Sequence, residues 1–268
     1  MDDESIAKSI RNLPGVEADP AFRERLRSAF VSGELDAGSQ APAPRAPRAG
    51  IKWWQWFVPA TVAAAIAVIA LITLNQGPSL HVLEATGEGY VRVDGEIIQL
   101  ADRHKLDDVL VPGAAITVAS GVTLDLIADG VALYEVVGGT RMTIPATPGR
   151  WFGRAASCSL YAGEIRIKTG AQFAGASLRV FTPDGMVVVT GTLVSIQCDE
   201  GGTCVCVLEG TVQVGVGEAD LQNVPPGSRK IMLKDGTVEI IPVKPMHRDG
   251  VLDFDKRIGD RLDTSESP

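Results

Sequence analysis

The sequence is poor in the side chains from which most catalytic and metal chemistry is built. Three histidines, at 81, 104 and 247, are scattered through 268 residues, and no cysteine precedes position 158. The C-x5-C-x-C spacing of Cys198, Cys204 and Cys206 is unlike the paired knuckles of zinc sites, so no metal is expected. G-x-S-x-G, a phosphate-cradling glycine loop and H-E-x-x-H are all missing. Carboxylate pairs such as Asp107-Asp108 and Asp199-Glu200 sit in turn-like polar stretches, where solvated surface is the ordinary explanation. The chain therefore reads as a non-enzyme without a cofactor.

Charge is missing altogether from Trp53 to Leu74, WWQWFVPATVAAAIAVIALITL, 22 residues in a row. At 1.5 Å per helical residue this run reaches roughly 33 Å, enough to cross a bilayer. It follows about fifty polar residues, where a cleaved secretory signal would stand much nearer the start. Residues 53–74 thus read as a retained transmembrane helix. Arg45, Arg48 and Lys52 precede it, while residues 75–91 hold no Lys or Arg, which puts the N-terminus in the cytoplasm. Trp53, Trp54 and Trp56 fall at headgroup level, and Pro59 lies in the first turns, where a missing donor costs little. Residues 1–52 carry eight acidic and eight basic side chains and residues 75–268 carry 25 and 17, so the net charge of −8 is all on the outer side. An acidic outer part and a head without a basic stripe exclude a direct nucleic-acid binder.

Residues 1–35 read as a short helical head. Ile6, Ile10 and Leu13 repeat at helical spacing; then Asp19 can cap, Pro20 takes the first helical position and Phe22, Leu26 and Phe30 form an apolar stripe. Helices this short are marginal alone in water, so the stripe is the expected partner contact. Residues 36–52 alternate Ala, Pro and Arg and form a stiff linker. From 75 to 243 the period becomes two. VTLDLIADGVALYEV (122–136), LRVFTPDGMVVVTG (178–191) and KIMLKDGTVEII (230–241) read as hairpins around Asp129-Gly130, Asp184-Gly185 and Asp235-Gly236, with further turns at Asp94-Gly95 and Gly201-Gly202. Gly113, Gly163 and Gly210 each open a new alternating run, as corners would. An all-β sandwich or solenoid-like stack of hairpins follows, without an amphipathic helix. Residues 244–268 read as a C-terminal tail.

GAAITVASGVTLDLIADGVALYEV (113–136), LYAGEIRI (160–167), LRVFTPDGMVVVTGTLVSI (178–196), CVLEGTVQV (206–214) and VPPGSRK (224–230) together resemble the FecR domain of bacterial ferric-citrate regulators. The stretch 19–35, DPAFRERLRSAFVSGEL, is similar to the cytoplasmic leader of some FecR-domain and anti-sigma-like membrane proteins. The resemblance implies a single-pass protein of the bacterial inner membrane. Its cytoplasmic head would bind an extracytoplasmic-function sigma factor, through Phe22, Leu26 and Phe30 here, and its periplasmic β domain would sense an unknown envelope partner. About thirty residues follow the β domain, where ferric-citrate regulators continue into a receptor-contacting lobe, so a sigma factor is implied more than iron uptake. No His or Cys precedes the span, which leaves no donors for a zinc-binding anti-sigma module.

On this topology Cys158, Cys198, Cys204 and Cys206 all face an oxidising compartment. An odd-membered loop from Asp199 to Thr203 would set Cys198 opposite Cys204 within near reach of a disulfide, whereas a two-residue turn at Gly201-Gly202 would set Val205 there. Cys206 could pair with Cys158 from a neighbouring strand. One or two disulfides, buried free thiols and a redox-responsive pair are the readings open at this point. Three function classes stay open with them: a sigma-factor regulator, a structural or ligand-binding envelope module without sigma contact, and a periplasmic thiol redox sensor.

Overall fold

The computed structural model describes residues 24, 27, 28, 69–71, 73–102 and 104–262. The chain divides into units 1–62 and 63–268. Of the first unit only Glu24, Arg27 and Ser28 are described, helical and exposed. Phe22, Leu26 and Phe30, the linker and residues 53–68 of the expected span lie outside the described residues. Of that span, 69–71, 73 and 74 are helical, and the turn closes with the Asn75 N–H donating to Leu71 O at 3.1 Å. No helix among the described residues is long and apolar enough to cross a membrane.

In the second unit the described residues are mostly β. The strands are β1 (His81–Gly87), β2 (Tyr90–Val93), β3 (Glu96–Gln99), β4 (Ala115–Val118), β5 (Val122–Ala128), β6 (Ala132–Val136) and β7 (Arg141–Thr143). They continue with β8 (Ala155–Thr169), β9 (Ser177–Thr182), β10 (Gly185–Cys198), β11 (Gly202–Gly215), β12 (Gln222–Val224), β13 (Ser228–Leu233) and β14 (Val238–Pro242). Two helices accompany them, α1 (His104–Val109) and α2 (Pro245–Ile258).

The length of β8, β10 and β11 decides the architecture. At 14 or 15 residues each is more than twice a usual strand, and each runs through two layers. In one layer the order is β1-β5-β6-β8-β10-β11-β13-β14, antiparallel throughout and using the C-terminal halves of β8 and β10 with the N-terminal half of β11. In the other it is β3-β2-β4-β7-β8-β9-β10-β11-β12, using the opposite halves, with β8 and β9 parallel. The sheet is thus folded over on itself as a sandwich. One apolar cluster fills the fold, with Val91, Ile116, Leu160, Val180 and Val189 from one layer and Leu124, Tyr134, Ile165, Ile196 and Val207 from the other.

The corners lie at defects in the pairing. β10 and β11 slip register between Val189 and Thr192 and again between Leu193 and Val194. The slip inverts which alternate residues face inward, so Val187 and Val189 before it and Val194 and Ile196 after it all reach the core. β8 turns its corner at Gly163, where φ is +90° and a Cβ would lie 2.4 Å from Thr140 Cα. Gly163 was expected at a corner, and this is the reason only glycine fits.

The hairpins form with two shifts. Asp94 (φ 47°) and Gly95 (φ 92°) make a two-residue turn as expected. Gly185 pairs with Thr182, so the second turn is Pro183-Asp184 rather than Asp184-Gly185. Cys198 pairs with Thr203, and Asp199 exchanges both backbone hydrogen bonds with Gly202, so the cysteine-rich turn is Glu200-Gly201. Asp199 Oδ1 accepts from Gly201 N–H at 2.7 Å, which shapes that turn.

The C-terminal segment departs from the expected tail. Pro245 sits in the first turn of α2, and Val251, Phe254 and Ile258, at i, i+3 and i+7, lie buried on a pad of Ile127, Leu133 and Leu193 on the outer face of the first layer. A stripe of three buried residues in 14 was too sparse to stand out in the sequence, and α2 is stable because the sheet supplies the rest of its core.

Gly163→Ala is expected to lower stability by about 2–4 kcal/mol in urea unfolding, since strain and collision add. Gly95→Ala, with a positive φ but nothing within 4 Å of its Cβ, is expected to lose only about 1 kcal/mol. Equal losses would show that the corner accepts a side chain.

Candidate functional site: a charged row and a thiol pair on the outer face

Strand register places one polar residue directly beside the next across the first layer. Glu84 pairs with Asp125, Asp125 with Glu135, Glu135 with Arg166, Arg166 with Ser195, Ser195 with Cys206 and Cys206 with Arg229. All point outward, away from the apolar core. Period-two alternation makes each of them look solvated, yet Asp125 is only 1% exposed and Glu135 only 4%. The cover is α2. Arg257 extends from it to hydrogen-bond both Asp125 and Glu135, with Glu84 Oε2 at 3.9 Å. Arg166 donates to Glu135 at 2.5 Å, to Glu164 at 2.7 Å and to the Gly250 carbonyl of α2 at 3.1 Å. Lys168 meets Asp255 of α2 at 2.5 Å, and Ser195 Oγ donates to Glu164 at 2.9 Å.

Burial pushes Asp125 and Glu135 above the ordinary carboxylate range, and the two arginines offset only part of that shift. Arg257 is raised in turn, chiefly by its hydrogen bond to Asp125. Two buried carboxylates held by two guanidiniums therefore form the hinge of the contact between α2 and the sheet. Breaking such a set by removing one partner leaves a buried charge uncompensated.

All four cysteines are free thiols. Of the readings left open by the sequence this is the one with unpaired thiols, and the register keeps Cys198 and Cys204 apart. With Thr203 opposite Cys198, Cys198 and Cys204 lie on opposite faces of the sheet. Cys158 pairs with Val180 inside the core, whereas Cys206 points outward between Ser195 and Arg229. Cys158 and Cys198 are buried among apolar side chains, and burial pushes their thiols up to about 12 and about 11. Cys198 also contacts Leu160 O at 3.8 Å and Thr203 Oγ1 at 3.4 Å.

Cys204 and Cys206 differ. As i and i+2 on one strand they share a face, with their sulfurs 3.8 Å apart. The hydrogen-bond contact between the two thiols holds Cys204 below the ordinary thiol range and raises Cys206; the buried Arg229 guanidinium beside Cys204 adds to the lowering. Arg229 Nε has no hydrogen-bond partner among the described residues. The half-exposed Cys204 is thus the nucleophilic member of the pair. Among the described residues no three His, Cys, Asp or Glu side chains are placed to share a metal ion. Sequence reading named the four cysteines but missed Asp125, Glu135, Arg166, Arg229 and Arg257. Charged residues inside VTLDLIA, ALYEV and GEIRI were the one signal, readable only once these strands are placed side by side.

Arg257→Met is expected to lower stability by about 2 kcal/mol at neutral pH and to raise amide exchange in α2. Because the folded pKa values of Asp125 and Glu135 are raised, the fold binds their protons more tightly than the unfolded chain, and their contribution is lost as pH rises through the folded values. The Arg257→Met deficit should therefore shrink as pH falls from about 7 toward about 4.5. A deficit independent of pH would show that the two carboxyls are not what Arg257 neutralises. Brief iodoacetamide labelling of the native protein, read by mass spectrometry, should modify Cys204 at least about tenfold faster than Cys158, Cys198 or Cys206; uniform labelling would contradict the assignment.

No family model matches the chain and no curated protein matches it, so the FecR resemblance stands on the quoted residues. Two crystal structures of a proposed anti-sigma factor from Parabacteroides distasonis are similar to it at 16% identity and a TM-score of 0.42. One covers 55% of this chain and 73% of its own, and the other 56% and 74%. The functional reading rests on this chain's own residues.

Proposed function

We propose that the chain is a single-pass signal transducer of the bacterial inner membrane. It regulates an extracytoplasmic-function sigma factor in response to an envelope signal received by its β sandwich. The head would bind the sigma factor through Phe22, Leu26 and Phe30, residues 53–74 would cross the membrane, and the sandwich would lie in the periplasm, acting without catalysis, cofactor or direct nucleic-acid contact. One observation carries the reading. Only six residues, 75–80, separate the exposed, helical Leu74 at the end of the apolar run from the first strand, so the sandwich follows that run with little slack. Within the sandwich, α2 is held by side-chain contacts, the apolar pad and the Arg166, Arg257 and Lys168 contacts, and not by strand pairing.

A second reading, thiol sensing, is favoured by the Cys204–Cys206 pair alone. It predicts a response lost in Cys204→Ser while the fold survives.

The signalling reading is tested by a photoreactive amino acid at position 26 and in-cell crosslinking. Capture of a sigma factor is the expected result. Capture of lipid alone, or of nothing, from a well-expressed protein would make the head passive and the sandwich a binding module.

A further inference from the structure

The chain leaves the helical residues 73 and 74 through a clasp. Asn75 commits its whole side-chain amide to one loop: Oδ1 accepts from the N–H groups of Trp151 (2.9 Å) and Phe152 (3.1 Å), and Nδ2 donates to Phe152 O at 2.9 Å. Its own carbonyl accepts from Arg150 N–H at 2.9 Å. From the other side Arg154 donates to the carbonyls of Gly149 (3.1 Å), Arg150 (2.7 Å), Gln172 (3.0 Å) and Ala174 (2.8 Å), tying the same loop into the sandwich. Gly149 permits the approach, since a Cβ there would lie 2.2 Å from Phe152 O and 2.6 Å from Asn75 Nδ2.

A loop fixed by this many hydrogen bonds could bury its aromatic residues. This one presents them outward, with Trp151 61% and Phe152 47% exposed and Arg150 exposed beside them. Immediately before Asn75, Ile69, Leu71 and Leu74 are 61%, 53% and 60% exposed. Exposed apolar residues thus stand on both sides of the Asn75 clasp, with the exposed Arg150 beside the loop. Water covers such a surface poorly, whereas the boundary between acyl chains and headgroups suits indole and phenyl rings and offers phosphates to arginine.

We propose that the Trp151–Phe152 loop is a membrane-interface anchor. Its rings enter the headgroup boundary of the leaflet from which the apolar run 53–74 emerges, Arg150 meets lipid phosphate, and the Asn75 clasp holds the sandwich in one orientation on the bilayer. This rests on the reading of 53–74 as a membrane span. A clasped sandwich passes a change at its base to the helix, whereas a freely tethered one dissipates it.

The test uses the full chain in vesicles of phosphatidylcholine and phosphatidylglycerol, with Trp53, Trp54 and Trp56 replaced by Phe so that Trp151 is the sole tryptophan, excited selectively at the red edge. Lipids carrying nitroxides at the headgroup, upper acyl chain or bilayer centre report depth, and acrylamide reports water. Quenching by the two shallow nitroxides above the central one, with acrylamide quenching at least about twofold below that in Asn75→Ala, is expected. A companion Trp151→Phe protein, keeping the other three Trp, reports the span independently. Lipid quenching in the companion with Trp151 open to acrylamide would overturn the anchor and leave the span standing. Failure of lipid quenching in both would remove the span and the anchor together. Trp151 shielded from acrylamide but untouched by every lipid nitroxide would mean that protein, such as a second copy of the chain, covers it, which also overturns the proposal.

Discussion

The sandwich depends on three strands that belong to both of its layers. β8, β10 and β11 can serve both only if they bend, and a strand bends where its ladder is broken. Gly163 in β8 and the paired register slips of β10 and β11 supply the breaks. The same defects invert the inward-facing set along the strand, which is why Val187 and Ile196, of opposite parity, share one core. Without the inversion, half of each long strand would turn its valines to solvent.

Folding the sheet over leaves the outer face of one layer to be dealt with. Helix α2 covers it, and two kinds of contact hold it there. Burial of Val251, Phe254 and Ile258 supplies adhesion of about 1.5–3 kcal/mol per side chain. The row from Asp125 to Arg229 adds little net energy, because desolvating charges offsets most of their attraction. What it adds is position: α2 shifted by one residue would leave Asp125 and Glu135 buried without Arg257. Adhesion thus comes from the apolar pad and placement from the ions.

The thiol pair and the aromatic loop lie at other places on the same scaffold, and each is set by backbone geometry. Two residues of separation on a strand bring the sulfurs of Cys204 and Cys206 together, and the neighbouring strand delivers Arg229. At the base, the polar side chain of Asn75 replaces strand pairing as the link between sandwich and helix.

Much of this was legible in the sequence, for physical reasons. Period-two alternation and Asp-Gly turns report local geometry, so the all-β class and most hairpins could be read from them. Turn centres at Pro183-Asp184 and Glu200-Gly201 were missed by one residue, because hydrogen bonds between strands choose the register. It is the even, two-residue turn, in place of an odd-membered loop from Asp199 to Thr203, that leaves Cys198 and Cys204 on opposite faces. Alternation also said correctly that Asp125 and Glu135 face outward, but it could not say that outward meant beneath α2. The sequence by itself determined which residues form strands and which face of each strand they occupy. Which strands lie side by side, what covers them, and hence which charges and thiols meet, was decided only by the tertiary structure, because those contacts join residues as much as 132 positions apart.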